Sequence, residues 1–271
     1  MSRIALGRYG FSIDVRDDGG HLATALTVEC LGFGTLWMNG GQLDRLDRLT
    51  ELLGATNTAA VGSSIIAPDE YTPTDVAQVF AQAEKVAAGR LFVGLGCSHR
   101  SEALAHLNGY LDDLGSVPRE RRLLAALGPR ALTLARDRFA GAMPMLFTAA
   151  QTASARQALG PDRLLPVGLY VVLDEQPARA RTTARHPLKF LTTLTAYRKS
   201  LIRQGFTEHD IDSQSNHLVD SLVAWGCPAE VVERARRLHE AGADHVHLTV
   251  LSEGSQPTGA NAARLLAAEF G

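Results

Sequence analysis

Residues 122–147, RLLAALGPRALTLARDRFAGAMPMLF, restrict the fold more than any other stretch of this chain. The apolar run 123–127 is short enough for a strand buried on both faces. Gly128-Pro129 breaks that strand, with the proline where a first helical turn tolerates one. Leu132, Ala135 and Phe139 then recur at helical spacing, so one apolar stripe can lie back on a sheet. Gly141 is expected to stop the helix, and residues 142–147 read as the next strand. The result is a complete strand–helix–strand unit. Its turn, Leu127-Gly128-Pro129, puts a helix N-terminus at a strand's C-terminal end. Free backbone N–H groups and the helix dipole suit an anion or phosphate there, and a plain tight turn is the other reading.

The same alternation runs through the chain. Strands are expected at residues 4–11, 35–38, 59–66, 89–95, 123–127, 142–147, 169–173 and 245–251. Helices are expected at about 21–31, 44–55, 74–87, 148–159 and 259–269, with Thr74-Asp75 suited to cap the third of these. Residues 101–120 form a longer connection with helical pieces, and 176–241 a long, mostly helical excursion. Eight strands alternating with helices, undivided by any linker, predict a single (β/α)8 barrel domain over residues 1–271. The length of 271 residues, 45% of them hydrophobic, fits one such barrel. A doubly wound open sheet is the runner-up, disfavoured because no G-x-G-x-x-G follows the first strand.

A formal net charge of -2 leaves no electrostatic footprint for nucleic acid or an acidic membrane. The longest apolar segment, residues 164–173, is far too short for a bilayer, which needs about twenty residues. Cys30, Cys97 and Cys227 are scattered and odd in number, so no disulfide framework or zinc motif is expected. A cytoplasmic protein acting on a small molecule, with no nucleic-acid or membrane partner, follows from this reading.

In a barrel, reactive groups belong at the C-terminal ends of strands. That rule selects Trp37, Asn39, Ser63, Ser64, Cys97, Ser98, His99, residues 127–129 and residues 143–148. They include no carboxylate cluster for acid–base pairing and no ligand set at metal spacing, so no metal site is expected. A roomy site poor in acid–base groups suggests that a bound cofactor carries the reaction. His99 reads either as a proton donor or as a loop histidine, and Cys97 more readily as a small residue beside a ring than as a nucleophile. His245 and His247 face the same way, two apart on one strand. The turn before them places them toward that strand's N-terminal end, where a structural role is expected.

These stretches resemble the luciferase-like flavin and deazaflavin oxidoreductases, in particular the subgroup dependent on coenzyme F420. The resemblance rests on GFGTLW (32–37), GRLFVGLGCSH (89–99), LLAALGPRALTLARDRFAGA (123–142), GFTEHD (205–210), LVDSLVAWG (218–226) and AGADHV (241–246). It implies the barrel fold, a homodimer, and hydride transfer between coenzyme F420 and a small or medium organic substrate. It also implies a non-prolyl cis peptide at Ser64–Ile65 behind the cofactor ring. Gly96, Cys97, Ser98 and His99 would lie along the cofactor, and Ala126, Leu127, Gly128 and Pro129 would contact its ribityl-phosphate arm. His99 and Asn39 would be the catalytic candidates near the reactive face. Two departures stand out: Ser64 where relatives commonly have glycine, and Met143-Pro144-Met145 where they often carry a histidine and an aromatic. The alternatives are an FMN-dependent monooxygenase, or a cofactor-free member acting as a binding protein or cyclase.

Overall fold

A computed structural model describes residues 6–15, 19–96 and 103–270. Its strands are β1 (Tyr9–Ser12), β2 (Thr35–Asn39), β3 (Ala60–Ser64), β4 (Leu91–Leu95), β5 (Arg122–Leu124), β6 (Gly141–Ala142), β7 (Pro166–Val172), β8 (Val223–Trp225) and β9 (His245–Val250). Between and after them run α1 (Gly20–Cys30), α2 (Asp47–Ala55), α3 (Pro73–Val86), α4 (Ala103–Asp113), α5 (Pro129–Arg138) and α6 (Ala149–Leu159). The second half adds α7 (Pro177–Leu191), α8 (Thr195–Arg203), α9 (Glu208–Ser213), α10 (Asn216–Leu222), α11 (Pro228–Glu240) and α12 (Gly259–Ala267).

All pairings are parallel, in the order β6-β5-β4-β3-β2-β1-β9-β7-β8. Isolated parallel bridges Gly141↔Leu164 and Met145↔Gly168 join β6 to β7 and close the ring. The expected barrel is therefore present, with β1–β7 and β9 as its eight staves. The short β8 was not foreseen. It pairs with Tyr170–Val172, the part of β7 above the last bridge to the β6 segment.

Strand parity divides the interior into two layers. Outward residues such as Phe11, Leu36, Val61, Val93, Val167 and Leu248 join the helices in the main core. Inward residues Trp37, Ala60, Phe92 and Leu123 form a smaller core inside the barrel with Leu6 and Met143. A third cluster unites α7–α10 with Leu146, Val172 and Val223, so the excursion packs against the C-terminal rim beside β7.

Several boundaries move, each for a local reason. Thr72, not Thr74, caps α3: its hydroxyl accepts the Asp75 N–H at 3.2 Å, which frees Pro73 for the first turn. The helix after Pro129 ends at Arg138, and Gly141 lies in β6, not at the helix stop. A Cβ on Gly141 would strike the Leu164 carbonyl oxygen, so glycine there serves strand closure. The sixth strand is shorter than 142–147 because Pro144 has no N–H to donate and Leu146 turns out of the ladder at φ 58°. Pro144 still accepts the Gly168 N–H at 2.8 Å, which preserves the closure.

At the opposite end of the barrel from the strand C-termini, Glu29 of α1 ties down the entry to β3. Its carboxylate accepts N–H groups from Asn57 (2.9 Å), Thr58 (2.6 Å) and Ala59 (2.8 Å). Burial pushes this carboxyl up, but the three backbone bonds outweigh that effect and hold it down at about 2. A depressed folded-state pKa contributes stability above the unfolded value, lost as pH falls from about 4.5 to about 2. Glu29→Gln is expected to lower unfolding stability by about 2 kcal/mol at pH 7. Urea unfolding of both proteins should show that gap closing as the pH is lowered through this window.

Candidate active site

The mouth of the barrel is floored by Trp37. Its indole is fully buried, stacks on His247 with ring centroids 5.1 Å apart, and donates Nε1–H to His245 Nε2 at 2.9 Å. Two glycines make room for it. A Cβ on Gly62 would overlap the Trp37 ring, and one on Gly10 would sit 2.5 Å from both Trp37 Nε1 and His245 Nε2.

Above this floor, β1, β2 and β9 turn Ser12, Asn39 and Thr249 inward at their C-terminal ends. Ser12 Oγ lies 2.5 Å from His247 Nε2, 2.7 Å from Thr249 Oγ1 and 3.3 Å from Asn39 Oδ1. Among the described residues no cluster of three or more histidine, cysteine or acidic groups is placed to hold a metal. His245 lies at the start of the strand as expected, with Nδ1 2.8 Å from the Gly7 carbonyl. His247 departs from the expectation: it reaches up to Ser12 and joins the mouth. Burial drives both imidazoles toward the neutral form, His245 to about 4 and His247 well below its ordinary value.

Asn39 is level with Ser64 across the β2–β3 ladder. The Ser64–Ile65 peptide is cis, as the family resemblance implies. Ile65 is gripped from both sides: Gly40 faces its carbonyl oxygen, and a Cβ on Gly96 would lie 2.5 Å from its Cδ1. Gly96 thus leaves space for the Ile65 side chain. Cys97, Ser98 and His99 lie outside the described residues.

On the far side of the ring, Gly128 is the N-cap of α5 without any side-chain cap, and Pro129 opens the helix. The expected helix N-terminus is there. Leu127 is half-buried at this turn, but Ala126 is fully buried in the helix–sheet core, so its methyl faces away from the opening. Arg203, at the end of α8, donates Nη2–H to the Leu127 carbonyl at 2.8 Å and lies 3.3 Å from where a Gly128 Cβ would stand. Next to it, Gln204 Nε2 donates to Leu146 O at 3.0 Å, and its Oε1 accepts the Thr148 N–H at 2.9 Å. These bonds fasten the helical excursion to the rim.

Sequence reasoning missed Ser12, His247, Thr249 and Arg203. His247 and Thr249 had a signal in the two-residue period of β9, whose His245, His247 and Thr249 share one face, whereas Ser12 lies on β1. Arg203 had none, because only the packing of α8 brings it to the turn after β5.

Residues 18–123 match the family model described as luciferase-like monooxygenase. Over that stretch the chain is similar to the luciferase-like family. No curated protein matches its sequence. Among solved structures, an F420-dependent secondary alcohol dehydrogenase in complex with an F420–acetone adduct superposes with a TM-score of 0.75 at 13% identity, covering 97% of this chain and 98% of the other. The coenzyme F420-dependent tetrahydromethanopterin reductase from Methanopyrus kandleri gives 0.69 at 14% identity, over 97% and 98% of the two chains. The oxygenating constituent of 3,6-diketocamphane monooxygenase from Pseudomonas putida, in complex with FMN, gives 0.67 at 13% identity, over 96% of each. At such identities the likeness establishes a shared fold, one used with either cofactor.

The two glycines beside Ile65 differ in what they face, backbone on one side and the end of a side chain on the other. Gly40→Ala is expected to cost about 1–3 kcal/mol, and Gly96→Ala less, because the Ile65 side chain can turn aside. Chemical denaturation of the two variants measures the difference.

Proposed function

We propose that the chain is an oxidoreductase dependent on coenzyme F420, exchanging hydride between the deazaflavin and a small or medium organic substrate. The observation that carries this reading is the division of the mouth into two unlike halves. Ser12, Asn39 and Thr249 offer neutral donors and acceptors on one side. Uncapped N–H groups of α5 with the Arg203 guanidinium offer positive potential on the other. A flavin-type ring with a phosphate-bearing arm has this same division, so the residues present fit the group.

When bound, the deazaflavin supplies hydride chemistry at C5 of its ring. The chain's own residues position and shield. Ser64, Ile65 and Gly96 border the ring, while Leu127, Gly128, Pro129 and Arg203 receive the arm. Asn39 holds the substrate's reacting group by hydrogen bonds, and His99 supplies or takes the proton. The second reading, an FMN-dependent monooxygenase, is supported by the description of the matching family model and by the FMN-bound structural neighbour.

Titration of the purified protein with coenzyme F420 and, separately, FMN decides between them. Tryptophan fluorescence should report binding, since Trp37 floors the site. The expected result is micromolar affinity for coenzyme F420 and none for FMN; tight FMN binding would favour the monooxygenase, and no binding of either would overturn both. Arg203→Ala should weaken F420 binding about tenfold, the ~1.4 kcal/mol of a lost charge-assisted contact. His99→Ala should impair turnover more than cofactor binding, and unchanged turnover would remove the proton role.

A further inference from the structure

The two histidines of β9 are held in different ways. The Gly7 carbonyl can only accept, so His245 must carry its proton on Nδ1. The Trp37 indole can only donate, so His245 Nε2 must accept. That ring has one tautomer. Among the described residues, His247 Nε2 instead meets only hydroxyls, Ser12 Oγ at 2.5 Å and Thr249 Oγ1 at 3.3 Å, and a hydroxyl can donate or accept. Ser12 passes the choice on to the Asn39 amide, which has a donating and an accepting end.

We propose that His247 is a positioning residue for the mouth, and that its tautomer decides, through Ser12, which end of the Asn39 amide is offered to the ligand. The inference rests on the reading that Asn39 holds the reacting group. In one state Nε2 bears the proton and donates to Ser12. The Ser12 hydroxyl then donates to Asn39 Oδ1, and the Asn39 NH2 faces outward to a ligand acceptor such as a carbonyl oxygen. In the other state Nε2 is bare and accepts the Ser12 hydroxyl proton. Asn39 then turns its NH2 to Ser12 and offers Oδ1 to a ligand donor such as an alcohol O–H. In both states the Thr249 hydroxyl can donate to Ser12, so each arrangement uses the one donor and two acceptor sites of that hydroxyl.

The change moves a proton between the two ring nitrogens by exchange with water, with no net gain or loss. The proton of the redox step therefore belongs to another group. A neutral, reversible relay of this kind suits the two members of an alcohol–ketone couple equally. Burial keeps the His247 ring uncharged, and Trp37 stacks on its face, which leaves only the edge free for bonding. The substrate class that this geometry suits is a neutral alcohol or its carbonyl counterpart.

The test needs no cofactor. Protein labelled with nitrogen-15 in histidine reports the protonated ring nitrogen of His247 directly, its signals assigned by their loss in His247→Gln. Asn39→Asp presents only acceptors to Ser12 and should drive His247 Nε2 to the protonated, pyrrole-type shift. Asn39→Lys presents only donors and should drive it to the bare, pyridine-type shift. Adding Ser12→Ala to each should erase the difference. The proposal is overturned if the two variants share a tautomer while Ser12 is present, or if they still differ once it is gone. Because the measurement is made without cofactor, a failure of F420 binding would refute the proposed function and leave this readout intact.

Discussion

The bond from the Trp37 indole to His245 is the interaction on which the upper half of the barrel depends. A closed ring of eight strands must fill its own centre, and here one large indole does much of that filling. The indole carries a single donor, which in a dry interior needs an acceptor. His245 supplies one and is itself oriented by the Gly7 carbonyl, so β1, β2 and β9 are locked together at one level. Gly10 and Gly62 are the spatial cost of placing a tryptophan there. The candidate site is built on top of that level.

The next inward level is polar and neutral. Burial suppresses the charge of His247, and its neighbours are hydroxyls and an amide. A charged group at this depth would bind tightly to one protonation state of a ligand. Neutral groups that reverse their roles hold a ligand while its oxygen changes from donor to acceptor. Among the described residues, positive potential at the mouth lies across the ring, where α5 begins and Arg203 arrives from the excursion. Separation of the two halves follows from topology: β5 stands opposite β1 in the ring, and α8 packs in the cluster on the β7 side.

Much of the barrel was legible in the chain. The apolar periods of β2, β4, β7 and β9 and the glycine and proline breaks between them identified the strands. The turn at Gly128-Pro129 and the place of Asn39 at the tip of the second strand were also readable. Gly141 and Thr74 were misread because local chemistry allowed two roles, and one partner chose between them. For Gly141 that partner is Leu164, whose backbone lies too close for any side chain. For the α3 cap it is Asp75, which answers Thr72 reciprocally.

The sequence by itself determined the alternation of strands and helices, and with it the barrel, because hydrophobic period and turn residues act over a few neighbours. Tertiary structure alone decided that His247 reaches Ser12 and that Arg203 reaches the turn after β5. Those contacts join residues 235 and 76 positions apart. They depend on how a closed ring sets the relative heights of its strands and on where an inserted group of helices comes to rest. No local pattern encodes either distance.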